Sequence, residues 1–263
     1  MKSKKVLDYP SRHERFEHWF QTPLGRSMLA DQRRFLDHKL APLTGARQLH
    51  VSVSHRIPLI NGTDFSHKIM TTPKWFPSIP DGVVVCDANE LPFPGDSMDL
   101  VVLHHTADFS LYPHQALREA GRVLRGEGTI ALIGFNPVSI WGLRRFMSRH
   151  HAGPWGGRFL MRRRMDDWLH LLGFHVDVSV TRFFRLPLQR SGRKSSGRLG
   201  ERLTGNGLLP VGAYYCILAK KRVNARIPRR HAWRQNNVIV IPGTGTVGAS
   251  RGCPPQNLNH PDD

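Results

Sequence analysis

Three short stretches hold side chains that can do chemistry. Asp87 follows the apolar run Val83-Val84-Val85-Cys86 and opens the segment Asp87-Ala88-Asn89-Glu90-Leu91-Pro92-Phe93. A carboxylate at the carboxyl end of a strand can accept from an exocyclic amine, with the Ala88 backbone N–H beside it and Leu91 as an apolar wall. It can equally cap the turn that follows. His104 and His105 end the run Asp99-Leu100-Val101-Val102-Leu103. Side chains alternate along a strand, so only one of the two rings is expected to face a site. Each reads either as a substrate-facing group or as a hydrogen-bonded structural histidine. A metal centre is not indicated, because there is no His-Glu-x-x-His and no Cys or Asp at ligand spacing. The third stretch is Ser54-His55-Arg56, which follows the apolar segment 48–53 with no glycine before Gly62.

These residues need a frame, and the hydrophobic pattern supplies one. Apolar runs at 48–53, 82–86, 99–104 and 129–135 predict strands, with a shorter one at His67–Met70. The run 82–86 is apolar throughout, as suits a parallel strand covered on both faces. Between His114 and Leu124, Ala116, Leu117, Ala120, Val123 and Leu124 share one helical face, and Gly126-Glu127-Gly128 is expected to end that helix before the strand at 129. Strand, helix, strand at this spacing is a βαβ unit, so the expected fold is α/β with a doubly wound, mostly parallel sheet. Ahead of it, Thr22 can cap a helix whose first position is Pro23, giving a two-helix N-terminal layer over 1–45. The α/β domain is expected over 46–223, with a strand from 175 to 188, a helix near Met165–Leu172 and a last strand over 211–223. Residues 224–263, rich in Pro, Gly and Asn, read as a disordered tail, and 189–207 as a mobile loop.

Charge is unevenly spread. The chain of 263 residues carries a net +18, and residues 141–235 hold 21 Lys and Arg against 4 Asp and Glu, a net of +17. That asymmetry points to an anionic partner: RNA or another polyanion, a membrane surface or an acidic substrate. On a helix opening at Ser139, Ile140, Leu143, Phe146 and Met147 gather on one side, with Arg144, Arg145 and Trp141 on the other. Trp141 can stack a base, sit at a headgroup layer or cover its own domain. No apolar run is long enough to span a bilayer, and no apolar segment follows the basic start. Three scattered cysteines suit a reducing cytoplasm.

The stretch from Cys86 to Phe109 together with Leu117 to Phe135 resembles the class I S-adenosylmethionine-dependent methyltransferases, nearest the type 11 branch that includes quinone-biosynthesis enzymes. The motif pair Asp-Ala-x-x-Leu-Pro-Phe and Arg-Val-Leu-x-x-x-Gly carries the resemblance, which continues at 166–178 and 214–222. It implies a seven-stranded Rossmann-like sheet with an antiparallel last strand, and S-adenosylmethionine as cofactor. Asp87, Ala88 and Leu91 would then hold the adenine, and His104 and His105 would face the donor and the acceptor. The family's first strand ends in an acidic residue and a glycine loop. Here Ser54-His55-Arg56 stands in that place, with Ser54 or Arg56 as alternative contacts for the donor carboxylate. Trp141, Arg144 and Arg145 would lie near the acceptor. The reading is therefore a methyltransferase of an unidentified, anionic, RNA-like acceptor. Its alternatives are an inactive fold that binds nucleic acid and a membrane-peripheral enzyme acting on a lipid-like acceptor. No residue is assigned to catalysis, and the oligomeric state is open.

Overall fold

The computed structural model describes residues 9–60, 62–148, 153–187 and 212–223. The expectations for the tail after 223 and for the loop 189–207 lie outside them. The chain opens with two helices, α1 (Tyr9–Phe20) and α2 (Pro23–Leu40). Thr22 caps α2 as its sequence predicts, its hydroxyl accepting from the Gly25 N–H at 3.2 Å with Pro23 in the first turn. Gly25 makes the tight join possible, because a Cβ there would meet the Trp19 carbonyl oxygen at 2.3 Å.

Seven strands follow: β1 (Thr44–Ser52), β2 (Asp64–Thr72), β3 (Val83–Val85), β4 (Met98–His104), β5 (Leu124–Phe135), β6 (Phe174–Arg182) and β7 (Tyr214–Lys221). They form one sheet in the order β3-β2-β1-β4-β5-β7-β6. β7 runs antiparallel to both its neighbours, and the other pairings are parallel. This is the α/β, doubly wound, mostly parallel sheet that the pattern predicts, with the antiparallel last strand that the resemblance implies. The remaining helices are α3 (Thr106–Phe109), α4 (Pro113–Val123), α5 (Ile140–Met147) and α6 (Arg162–Leu171), with a 3-10 turn at Gly153–Gly156.

The strands divide their side chains between two apolar layers, as period-two alternation requires. Leu100, Val102, Ile133, Phe135, Tyr214 and Cys216 pack on the side of α1 and α2. Val101, Leu103, Leu132, Tyr215 and Ile217 pack on the side of α4 and α6. Each fully buried aliphatic side chain contributes roughly 1.5–3 kcal/mol relative to exposure, so β4, buried along its whole length, is the anchor of the sheet.

Several expectations change. β3 is an edge strand paired to β2 alone, and Val85 is 38% exposed, so it is not covered on both faces. Gly126-Glu127-Gly128 does not separate α4 from its strand. β5 starts at Leu124 directly after the helix, and the glycine pair sits in an irregular stretch of the β4–β5 ladder where Glu127 takes φ 61°. β6 ends at Arg182 because Phe183 turns left-handed at φ 62°. The helix at Ser139 forms and is capped by Ser139, and its Trp141 side lies inward. Trp141 is buried, while Ile140, Leu143, Phe146 and Met147 are exposed.

Candidate active site

The strand ends gather four loops at one edge of the sheet, beside the switch between β1 and β4 where ligands of open α/β sheets lie. After β3, Asp87 is exposed and its carboxylate accepts from the Asn89 backbone N–H at 3.0 Å and the Asn89 side-chain amide at 2.9 Å. Leu91 is buried, with Ala88 packed against the same apolar layer. The segment is held from α4. Glu119 accepts from the Leu91 N–H at 3.1 Å, and Arg122 donates to the carbonyl oxygens of Leu91 and Phe93 at 2.9 Å each. Arg122 also pairs with Glu119 at 2.8 Å, and its hydrogen bonds hold the Glu119 carboxyl below its usual range. Glu119 carries no motif in the sequence, so its role was not legible there.

The glycine-free loop is built without strain, since none of residues 52–56 takes a positive φ. Ser54 is buried and its hydroxyl accepts from the Arg56 N–H at 3.2 Å. Arg56 turns to α1, where it meets Glu17 at 3.3 Å and lies 4.8 Å over the Phe76 ring. His55 meets the same ring edge-on at 5.0 Å. Lys74, after β2, pairs with Glu14, so two ion pairs tie α1 to the loops after β1 and β2. Under α1 lies a slot lined by His13, Ser52, Thr71, Cys86, Ala88 and Thr106, with about 10 Å³ of free space. Burial pushes the Cys86 thiol up to about 11, so it stays protonated.

His104 and His105 do not part to opposite sides. His105 takes φ 53°, which swings its ring back toward the ring of His104, 4.9 Å away. Both are fully buried under α2 and share Gln32. Gln32 Oε1 lies 3.1 Å from His104 Nε2, and Gln32 Nε2 lies 3.0 Å from His105 Nε2. His105 Nδ1 lies 2.8 Å from Asp108 Oδ2, which also accepts from the Phe135 N–H at 2.9 Å. The amide leaves one consistent direction: His104 donates to Gln32, Gln32 donates to His105, and His105 donates to Asp108. Burial lowers the proton affinity of His104 well below the ordinary value and raises that of Asp108. His50, whose ring centre is 5.9 Å from that of His104, is pushed down to about 4 by burial. Phe16 of α1 packs on His105 and Phe109, which closes this network off. Gln32 and Asp108 are hydrogen-bond partners of these histidines that no sequence signal singled out.

Trp141, Arg144 and Arg145 sit beside a cleft of about 810 Å³ between α1, the loop after β1 and the 3-10 turn. Trp19, Phe76 and Trp155 supply flat faces to it, Arg15, Arg56 and Arg144 supply positive charge, and Glu14 and Glu17 line its α1 side. Arg144 is exposed, with its guanidinium 5.1 Å over Trp155. Arg145 is instead a strut, donating to the Gly157 carbonyl oxygen at 2.6 Å. Trp141 covers its own domain, its indole N–H donating to the Arg185 carbonyl oxygen at 2.8 Å. Among the described residues no group of three His, Cys, Asp or Glu is placed to hold a metal ion, and no helix is long and apolar enough to cross a membrane.

Comparison with known proteins adds to this geometry. Residues 45–132 match a family model described as a methyltransferase domain. The uncharacterized protein YafS of Escherichia coli (strain K12) is 36% identical over 140 residues, which is 53% of this chain and 55% of that protein. A demethylmenaquinone methyltransferase of Chlamydia muridarum is 27% identical over 148 residues, 53% of this chain and 60% of that one. The chain therefore spans a little over half the length of these relatives. Among solved structures, a Thermotoga maritima methyltransferase described as a possible histamine N-methyltransferase superposes with a TM-score of 0.55 at 18% identity, covering 81% of this chain and 98% of that one. A methyltransferase of Archaeoglobus fulgidus gives 0.54 at 16% identity, covering 78% and 98%. At such identities the likeness speaks for the fold alone.

Proposed function

We propose, on the premise that this chain carries a class I methyltransferase domain of the type 11 branch, that it methylates an anionic acceptor with a flat ring, using S-adenosylmethionine. The observation that carries this reading is the Asp87–Phe93 segment, clamped by Glu119 and Arg122 at the switch point of the sheet. The donor supplies an electrophilic methyl group. Asp87 would accept from the adenine amine, with the Ala88 N–H beside it and Leu91 as the wall. Small side chains, Ser52, Thr71, Ala88 and Thr106, line the slot that would take the rest. These residues fit the donor chemically, while the space of about 10 Å³ does not admit it until His13 and α1 move away. Ser54 and Arg56 face the loop and α1, so their part is to anchor that cover. The acceptor would enter the cleft of about 810 Å³, where Trp19, Phe76 and Trp155 offer stacking faces. Arg144 has no carboxylate at ion-pair distance among the described residues and would take the anionic group. His105 is already committed to Gln32 and Asp108, so its role is to shape the floor rather than to remove a proton. Holding acceptor and donor in line can supply the rate by itself when the acceptor is nucleophilic.

Calorimetric titration with S-adenosylmethionine and with its demethylated product tests this. Binding that falls about 10- to 150-fold in Asp87→Ala is expected, the worth of one charge-assisted hydrogen bond. No binding by the wild type at millimolar ligand would end the reading.

A second reading has its own observation. Val138, Ile140, Leu143, Phe146 and Met147 form an exposed apolar face on and beside α5, with Phe146 at 89% exposure. Next to Arg144, and in a segment with net +17 over 141–235, this face suits an anionic bilayer surface. The acceptor would then be lipid-like and presented at the membrane.

A further inference from the structure

A second cleft, of about 700 Å³, opens between the start of α4 and α6. Arg118, Arg158 and Arg164 line it, together with Tyr112, His114 and Trp168, and no Asp or Glu does. All three arginines are exposed. Elsewhere several arginines meet a carboxylate, as Arg56 does with Glu17, Arg122 with Glu119, Arg125 with Asp99 and Arg182 with Asp31. Here three guanidinium groups converge without a carboxylate at ion-pair distance among the described residues. The Arg164 guanidinium carbon lies 5.0 Å from the centre of the Trp168 ring. Arg158 has one long contact, 3.5 Å to the Leu111 carbonyl oxygen.

The backbone adds to the same field. α4 begins at Pro113 in this cleft, and its cap, Tyr112, offers no side-chain acceptor to the first turn. The free end of an 11-residue helix therefore directs its positive pole at the arginines. His114 feels this potential: desolvation, then Arg164 and Arg118, lower its proton affinity. Beside the charge stands a flat, uncovered face, the Tyr112 ring at 67% exposure. The cleft is joined to the Asp87 loop through Asn89, whose side-chain oxygen accepts from the Ser110 hydroxyl at 3.0 Å.

From this arrangement we propose that the α4–α6 cleft binds a nucleotide, its phosphate held by Arg118, Arg158 and Arg164 and its base stacked on Tyr112. The chemistry is that of a base next to a phosphate, which a free mononucleotide and a single-stranded RNA both present. It is independent of methyl transfer, because no residue of the donor slot lines this cleft.

Fluorescence anisotropy with a labelled oligouridylate, over a salt series on the full chain, tests it. The wild type should bind, with a log–log salt slope that loses about 0.7, the share of one single-strand phosphate, in the variant Arg118→Ser/Arg158→Ser/Arg164→Ser. Tyr112→Ala should weaken binding about 5- to 150-fold at constant salt slope, as loss of one stacked base predicts. All four side chains are exposed, so unchanged melting temperatures should accompany both variants. Full competition by uridine monophosphate would assign a free nucleotide as the ligand, and failure of that competition would assign the polymer; either agrees with the proposal. No binding at low salt would overturn it. So would binding that the triple-arginine variant leaves unchanged, or competition by inorganic phosphate together with no effect of Tyr112→Ala.

Discussion

The guanidinium of Arg122 donates to the carbonyl oxygen of Leu91 at 2.9 Å, across 31 residues of chain. This bond explains why the two motifs go together: the arginine of Arg-Val-Leu fastens the loop of Asp-Ala-x-x-Leu-Pro-Phe. Arg122→Met should keep the side chain's bulk and lose its hydrogen bonds, costing about 1–2 kcal/mol in denaturant unfolding. Arg122→Lys should recover little of this, since an ammonium cannot serve two carbonyls and Glu119 as a planar fork does. Donor titration on the same variants should show weakened binding, because Asp87 is then no longer held in place.

α1 covers the proposed donor slot through the Glu17–Arg56 and Glu14–Lys74 pairs and through His13. Glu14→Gln/Glu17→Gln should favour the open state and tighten donor binding severalfold, because apparent affinity scales with the fraction able to bind. Raising ionic strength should do the same to the wild type, since both pairs are at the surface. Weaker donor binding in the double variant would mean that α1 holds the donor instead.

Acid stability should depend on His50. Its folded proton affinity is depressed to about 4, below the ordinary histidine value of about 6.5, so the unfolded chain takes up the proton first as pH falls. The stability it contributes is present above about pH 6.5 and is lost progressively down to about 4, close to 3 kcal/mol in all. His104, depressed in the same direction, adds to this slope, and Asp108, raised by burial, opposes it in its own window. Urea unfolding at pH 7.5 and pH 5 should show a smaller difference in His50→Leu than in the wild type, whatever that variant's absolute stability.

The exposed face of α5 can be tested on lipid. Phe146→Ser/Met147→Ser should lower binding to vesicles rich in anionic phosphatidylserine at least about tenfold, given the apolar area lost. Neutral vesicles should bind poorly, because the neighbouring charge is basic. No binding of the wild type to anionic vesicles would remove the membrane reading.

Elements encoded by near neighbours in the chain were legible before folding. The apolar run of β4, the Thr22–Pro23 start of α2 and the Ser139 cap of α5 each depend on residues a few positions apart, so each was legible. The parallel pairing of β4 and β5 followed from the βαβ spacing, and Asp87 from its place after β3. Packing between distant elements settled the order of the strands and which way side chains face. Helical projection separated Trp141 from Ile140, Leu143 and Met147, but inward and outward were set by packing, with Trp141 against Trp19, Trp155 and Phe183. Strand alternation sent His104 and His105 apart, and a single left-handed φ at His105 brought them back together on Gln32. The matching of Arg122 to Leu91 and the unmatched arginines of the α4–α6 cleft are likewise long-range facts. Residue types fix how many charges and donors a chain carries, whereas the packing of distant elements fixes which of them meet.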